Sequence, residues 1–142
     1  MAIITENIRS DVQDFLKDLR DPVTVDFYPQ PESPASEPMK QLLQELHELA
    51  PLIQVVEHPQ SAAPIAPETA EDIEGPVTTF SVRDAFTGIR YLGFPGGQEF
   101  GTFLQDLVDL SVGQEVSLST ATQQWLKTLE APLHLEVFVT PT

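Results

Sequence analysis

Serine stands at both ends of the four-residue stretch Ser33-Pro34-Ala35-Ser36, just ahead of a run with helical apolar spacing. A hydroxyl at a helix start accepts hydrogen bonds from free N–H groups, but it is too weakly acidic to attack without a positioned base. Ser33 or Ser36 is therefore expected to cap a helix, not to react. Asp26 and Glu32 would suit paired-carboxylate acid–base work. Among 22 acids, chance proximity explains such a pair better. The histidines are His47, His58 and His134; no two lie at metal-ligand spacing and HExxH is absent, so no metal site is expected. His47 is expected at the solvent border of a helix. Gly96-Gly97 belongs to neither GxGxxG nor a Walker A pattern, so no phosphate-bearing cofactor is expected. The chain has no cysteine, which removes disulfides, thiolate nucleophiles and Cys-ligated zinc together.

The 142 residues fit one domain, and 41% apolar content is enough for a core. Net charge is −15, with 22 acids against 7 bases. Phosphate and anionic-lipid surfaces need clustered Lys and Arg, so nucleic acid and membrane are not expected partners. An acidic face that meets a basic partner is the sharper reading; solubility is the plainer one. No apolar run is long enough to span a bilayer, and the N-terminus lacks the pattern of a secretory signal, so a cytoplasmic protein is expected.

The elements that must position these residues follow from periodicity. Ile4, Ile8, Val12, Phe15, Leu16 and Leu19 recur every three or four residues, which predicts a helix capped by Thr5 and stopped at Asp21-Pro22. Val23–Tyr28 alternates and predicts a strand, closed by the prolines that follow. Met39, Leu42, Leu43, Leu46 and Leu49 mark the buried stripe of a second helix, and Leu52–Glu57 predicts a second strand. Residues 58–74 read as a loop with one helical turn at Glu68–Ile73. VTTFSV, a turn at Asp84–Gly88 and IRYLGF predict a hairpin, and Phe100, Phe103, Leu104, Leu107 and Val108 a third helix. Thr120-x-x-Gln123 resembles a capping box for a short helix with Trp125, Leu126 and Leu129 turned inward; Leu133, Leu135, Val137 and Val139 then alternate as a terminal strand.

The segments QLLQELHELA, GPVTTF and IRYLGFPGGQEFGTFLQDLVDLS resemble the N-terminal unit of the glutaredoxin-like protein disulfide oxidoreductases. They also resemble the N-terminal domain of the alkyl hydroperoxide reductase flavoprotein subunit. The likeness covers nearly the whole chain and is sharpest over 89–110. It implies an α/β, thioredoxin-like three-layer fold with a mixed central sheet. Residues 1–112 would form that unit, and 113–142 would supply a connector, helix and strand from the start of a second one. The closing VFVTPT is similar to the strand that leads into the second unit's CPYC motif.

The same resemblance places a CxxC where Ser33-Pro34-Ala35-Ser36 stands, and a substrate-facing cis-proline at Pro76. There Gly75, Pro76 and Val77 would bind an extended peptide through the backbone. Val25-Asp26-Phe27 is like the VDF of thioredoxins, whose strand aspartate serves the buried thiol; with no thiol, Asp26 is expected to be a partly solvated residue without that role. The expected function is a redox-inactive module with a surviving peptide or protein site. The competing expectation is that the protein continues past Thr142 into a CxxC or selenocysteine motif. A strand at 133–139 would have few partners, so self-association or packing on the main sheet is expected.

Overall fold

A computed structural model describes residues 2–64, 75–113 and 117–139. The first helix, α1, spans Glu6–Leu16 with Thr5 at its cap position. The Thr5 hydroxyl donates to Asn7 and not to the helix backbone. Val12 and Leu16 are buried, while Phe15 is exposed, on the margin of the stripe. Strand β1, Val23–Tyr28, lies where the alternation between Pro22 and Pro29 puts it. Helix α2 runs Ser36–Leu49 and strand β2 runs Ile53–Glu57. A single 3-10 turn, Gln60–Ala62, opens the crossover that follows. The turn expected at Glu68–Ile73 lies outside the described residues.

Strands β3 (Val77–Val82) and β4 (Ala85–Leu92) form the hairpin. Its turn is tighter than expected. Arg83 and Asp84 alone make it, with φ of 52° and 61°, and Val82 pairs with Ala85. Two successive residues at positive φ match the right-handed twist of the flanking strands. The glycine that suggested a turn, Gly88, sits instead in a bulge on β4 between the pairs Ser81–Phe86 and Thr79–Arg90. The sheet order is β2-β1-β3-β4; β1 is parallel to β2 and antiparallel to β3, so the sheet is mixed.

Helix α3, Gln98–Val112, ends at Gly113, whose left-handed conformation (φ 68°) returns its N–H to Asp109 O at 2.9 Å. At the same end, Ser111 Oγ accepts from Arg20 N at 2.8 Å and donates to Asp21 O at 2.6 Å, tying α3 to the lead-in of β1. One core fills the space between the helices and the sheet face bearing Val23, Val25, Phe27, Ile53 and Phe80. Phe27, Phe80 and Phe103 are fully buried, each worth about 1.5–3 kcal/mol by apolar burial. Phe103 meets the rings of Phe80 and Tyr91 edge-on, with centroids 5.4 and 5.0 Å apart.

Beyond α3 the expectations fail in part. Helix α4 spans Thr120–Leu126, and its cap is Ser119, whose Oγ accepts from Thr122 N at 3.2 Å; Thr120 is only the first helical residue. Gln123 donates to Leu118 O instead of reaching back to the cap. Trp125, Leu126 and Leu129 are exposed, because nothing described packs against so short a helix. Residues 133–139 pair with no strand and do not join the main sheet. Alternation yields a strand only when a ladder forms, and among the described residues none forms there.

Candidate functional site

The chain leaves β1 through Pro29 and turns at Ser33, whose N–H donates to Gln30 O at 3.0 Å. Ser36 N then donates to Ser33 O at 3.2 Å, and α2 begins. Neither serine caps the helix. Ala35 holds the cap position, in helical backbone geometry that sends no side chain back to the first turn. Ser36 Oγ instead accepts from Gln30 N at 3.0 Å and donates to Gln30 O at 2.7 Å. One buried hydroxyl thus satisfies both backbone groups of a loop residue. Ser33 Oγ accepts from Ala35 N at 3.3 Å.

Gly75 faces this turn. A Cβ added to Gly75 would stand 3.3 Å from Gly93 Cα and 4.0 Å from Ser33 Oγ, so glycine is what permits the approach. Gly93 N donates to Pro76 O at 2.8 Å, and Val77 pairs with both Tyr28 and Leu92. The sheet therefore brings Gly75 up to Ser33. The proline itself differs from expectation: no peptide bond among the described residues is cis, so Gly75–Pro76 is trans. Trans is the lower-energy isomer of an X–Pro bond by about 0.5–1 kcal/mol, and none of the contacts just given demands the other.

A second cluster lies on the opposite sheet face. His58 N donates to Phe27 O at 2.8 Å, one position past the β1–β2 ladder, and His58 Nε2 lies 2.7 Å from Asp26 Oδ1. Ser81 Oγ donates to Asp26 Oδ2 at 3.2 Å. The Tyr28 ring stacks on His58 with centroids 4.9 Å apart, and burial and the Asp26 charge push its phenol above the ordinary value against a hydrogen bond with Thr79. Asp26 is partly solvated, as expected, and is also a hydrogen-bonded anchor between strands; Glu32 takes no part. Sequence reasoning missed this group, since its members are up to 55 residues apart. The parallel register was the only signal that could have found it. His47 is held in place as well, its Nδ1 lying 2.7 Å from Ile53 O.

No base is hydrogen-bonded to Ser33 or Ser36 among the described residues. No three of His, Asp and Glu among the described residues come together as a metal-ligand group. No described helix is long and apolar enough to cross a membrane.

The architecture is a thioredoxin-like fold, as comparison with solved structures shows. The alkylhydroperoxide reductase AhpF of Enterococcus faecalis superimposes with a TM-score of 0.68 at 20% identity, covering 88% of this chain and 60% of that one. A protein disulfide oxidoreductase of Aeropyrum pernix gives 0.69 at 19%, covering 91% and 56%. A Sulfolobus solfataricus structure gives 0.52 at 15%, covering 86% and 59%. The chain thus spans less than two thirds of each of these proteins. No protein-family model and no curated protein matches its sequence.

Proposed function

We propose that this chain is a redox-inactive thioredoxin-like module that holds a peptide or protein partner, as the structural or binding half of a thiol–disulfide oxidoreductase system. The observation that carries the proposal is the Ser33 hydroxyl, standing where the resemblance places a thiol and 4.0 Å from the Cβ position of Gly75. The apposition of turn and β3 start remains while the sulfur is gone. Pro76 has no N–H and its carbonyl is taken, and Val77 is laddered on both sides. Gly75 is itself buried and Ser33 half-buried, so Ser33 is then the position that meets an extended chain. The cytoplasm is the compartment proposed for this work.

Two measurements test it. The purified chain leaves the dithiothreitol reduction of insulin at its uncatalysed rate; acceleration overturns redox inactivity. Titration with reduced, carboxymethylated α-lactalbumin, an unfolded polypeptide without disulfides, shifts the amide NMR signals of Ser33, Ser36, Gly75 and Val77. Shifts elsewhere only, or none, overturn the groove.

A second reading is favoured by the partial coverage of the longer neighbours, whose matches reach 91% of this chain. In it, the chain is one piece of a glutaredoxin-like oxidoreductase whose CxxC lies beyond residue 142. Translating the downstream coding DNA decides it, and absence of an in-frame CxxC or selenocysteine motif sinks it.

A further inference from the structure

The terminal segment combines features that do not belong on a monomer surface. Residues 133–139, LHLEVFV, have no regular secondary structure, with Leu135, Val137 and Phe138 exposed to 80%, 84% and 88%. Trp125, Leu126 and Leu129, on α4 and just after it, are exposed beside them. A run rich in β-branched and aromatic residues with unpaired backbone groups is a strand in search of an edge.

The sheet offers two edges, and they are not equivalent. At β2 the Ile53 carbonyl is engaged by His47, and a Lys40–Glu57 ion pair at 2.8 Å stands at the strand's end. The β4 edge has no strand beyond it among the described residues. It also differs in charge: in a chain of net charge −15, Ala85–Leu92 holds Arg90 and no acid. Residues 133–139 hold one acid, Glu136, and no Lys or Arg.

We propose that residues 133–139 of one copy add as a fifth strand to the outer edge of β4 in a second copy, reciprocally, giving a strand-exchanged dimer. An antiparallel register with Glu136 opposite Arg90 sets Leu135 beside Tyr91 and Val137 beside Ile89, on the face that α3 covers. Phe138 then falls at Gly88, where no heavy atom lies within 4 Å of the position a Cβ would take. The bulge confines regular pairing to the stretch from Ile89 to Leu92. Trp125, Leu126 and Leu129 extend the α3 layer over the new strand. Arg90 is prepared for this role by its seat over the Phe86 ring, 5.1 Å from the centroid, and by donation to Pro64 O. The proposal is independent of the groove reading, because neither Ser33 nor Gly75 enters it.

Sedimentation equilibrium of the full chain over a wide concentration series tests it, with Arg90→Glu, Val137→Asp and the reversed pair Arg90→Glu/Glu136→Lys. All altered side chains are at least partly exposed, and circular dichroism checks that each variant is folded. The expected result is a dimer that each single change weakens on the order of tenfold or more and that the reversed pair largely restores. Hydrogen exchange in the dimer protects 133–139 and Ile89–Leu92 together. A monomer at all concentrations overturns the proposal, including a monomer whose 133–139 amides are protected, which would mean docking on its own sheet. A dimer that responds to Val137→Asp and not to Arg90→Glu also overturns it, because the tail then sits elsewhere.

Discussion

The carboxylate of Glu45 on α2 receives the Ile4 N–H at 2.7 Å, and its other oxygen receives the Ile3 N–H at 2.9 Å. The N-terminal segment is thereby fastened to the helix that begins at Ser36, and Gln41 adds a third donor at 2.8 Å. Burial pushes the Glu45 carboxyl up, but the Ile4 and Ile3 N–H groups, the Gln41 amide and Arg9 outweigh it, so its pKa lies below the ordinary glutamate value. A depressed folded pKa means that the unfolded chain binds the proton more readily. Its stabilisation is full above the unfolded value and is lost as pH falls through the folded one. Glu45→Ala is expected to cost about 2–4 kcal/mol at pH 7, since it strands two backbone donors. Urea unfolding at pH 7 and on the acid side checks both points; the variant loses less stability on acidification than the parent.

Thr78 presents the opposite case. It is fully buried in β3, and its Oγ1 has no hydrogen-bond partner among the described residues. Valine keeps the shape and removes the stranded hydroxyl. Thr78→Val is expected to stabilise the fold by about 1 kcal/mol, read as a higher urea midpoint at unchanged m. A lowered midpoint would mean that the hydroxyl has a partner in solution.

The hairpin holds two side chains in left-handed backbone, Arg83 and Asp84. The Arg83–Asp21 ion pair, at 2.7 Å, is exposed and worth at most about 1 kcal/mol. Substituting Asn-Gly for this pair relieves the turn and is expected to be neutral or to stabilise by about 0.5–1 kcal/mol. Thermal melting decides; a clear loss would show that the ion pair outweighs the strain.

Restoring thiols at both ends of the motif, Ser33→Cys with Ser36→Cys, should confer weak insulin-reducing activity and lower the unfolding midpoint. The activity follows if the turn geometry survives, and the loss follows from the bonds Ser36 gives up. Full stability with no activity would contradict both.

How far the sequence can be read depends on whether a feature is local. Val23–Tyr28 is legible because its alternation is complete and prolines close both sides. The α3 stripe is legible for the same reason, four of its five expected residues being buried. The hairpin turn falls earlier than expected and shares only Asp84 with the expected stretch, because Gly88 carries the usual turn signal while Arg83 carries none. Asp26 and His58 meet only through strand register, and Glu45 meets Ile4 across 41 positions. No local pattern encodes either contact. The terminal strand rests on alternation that nothing described completes.

The pair of hydrogen bonds between Ser36 and Gln30 bears on which atom can stand at position 36. Sulfur is larger than oxygen and a poor partner for amides, so a cysteine at 36 would surrender a staple that the hydroxyl supplies. Sulfur placed at 36 would therefore be opposed by the framework itself, which is built around an oxygen there.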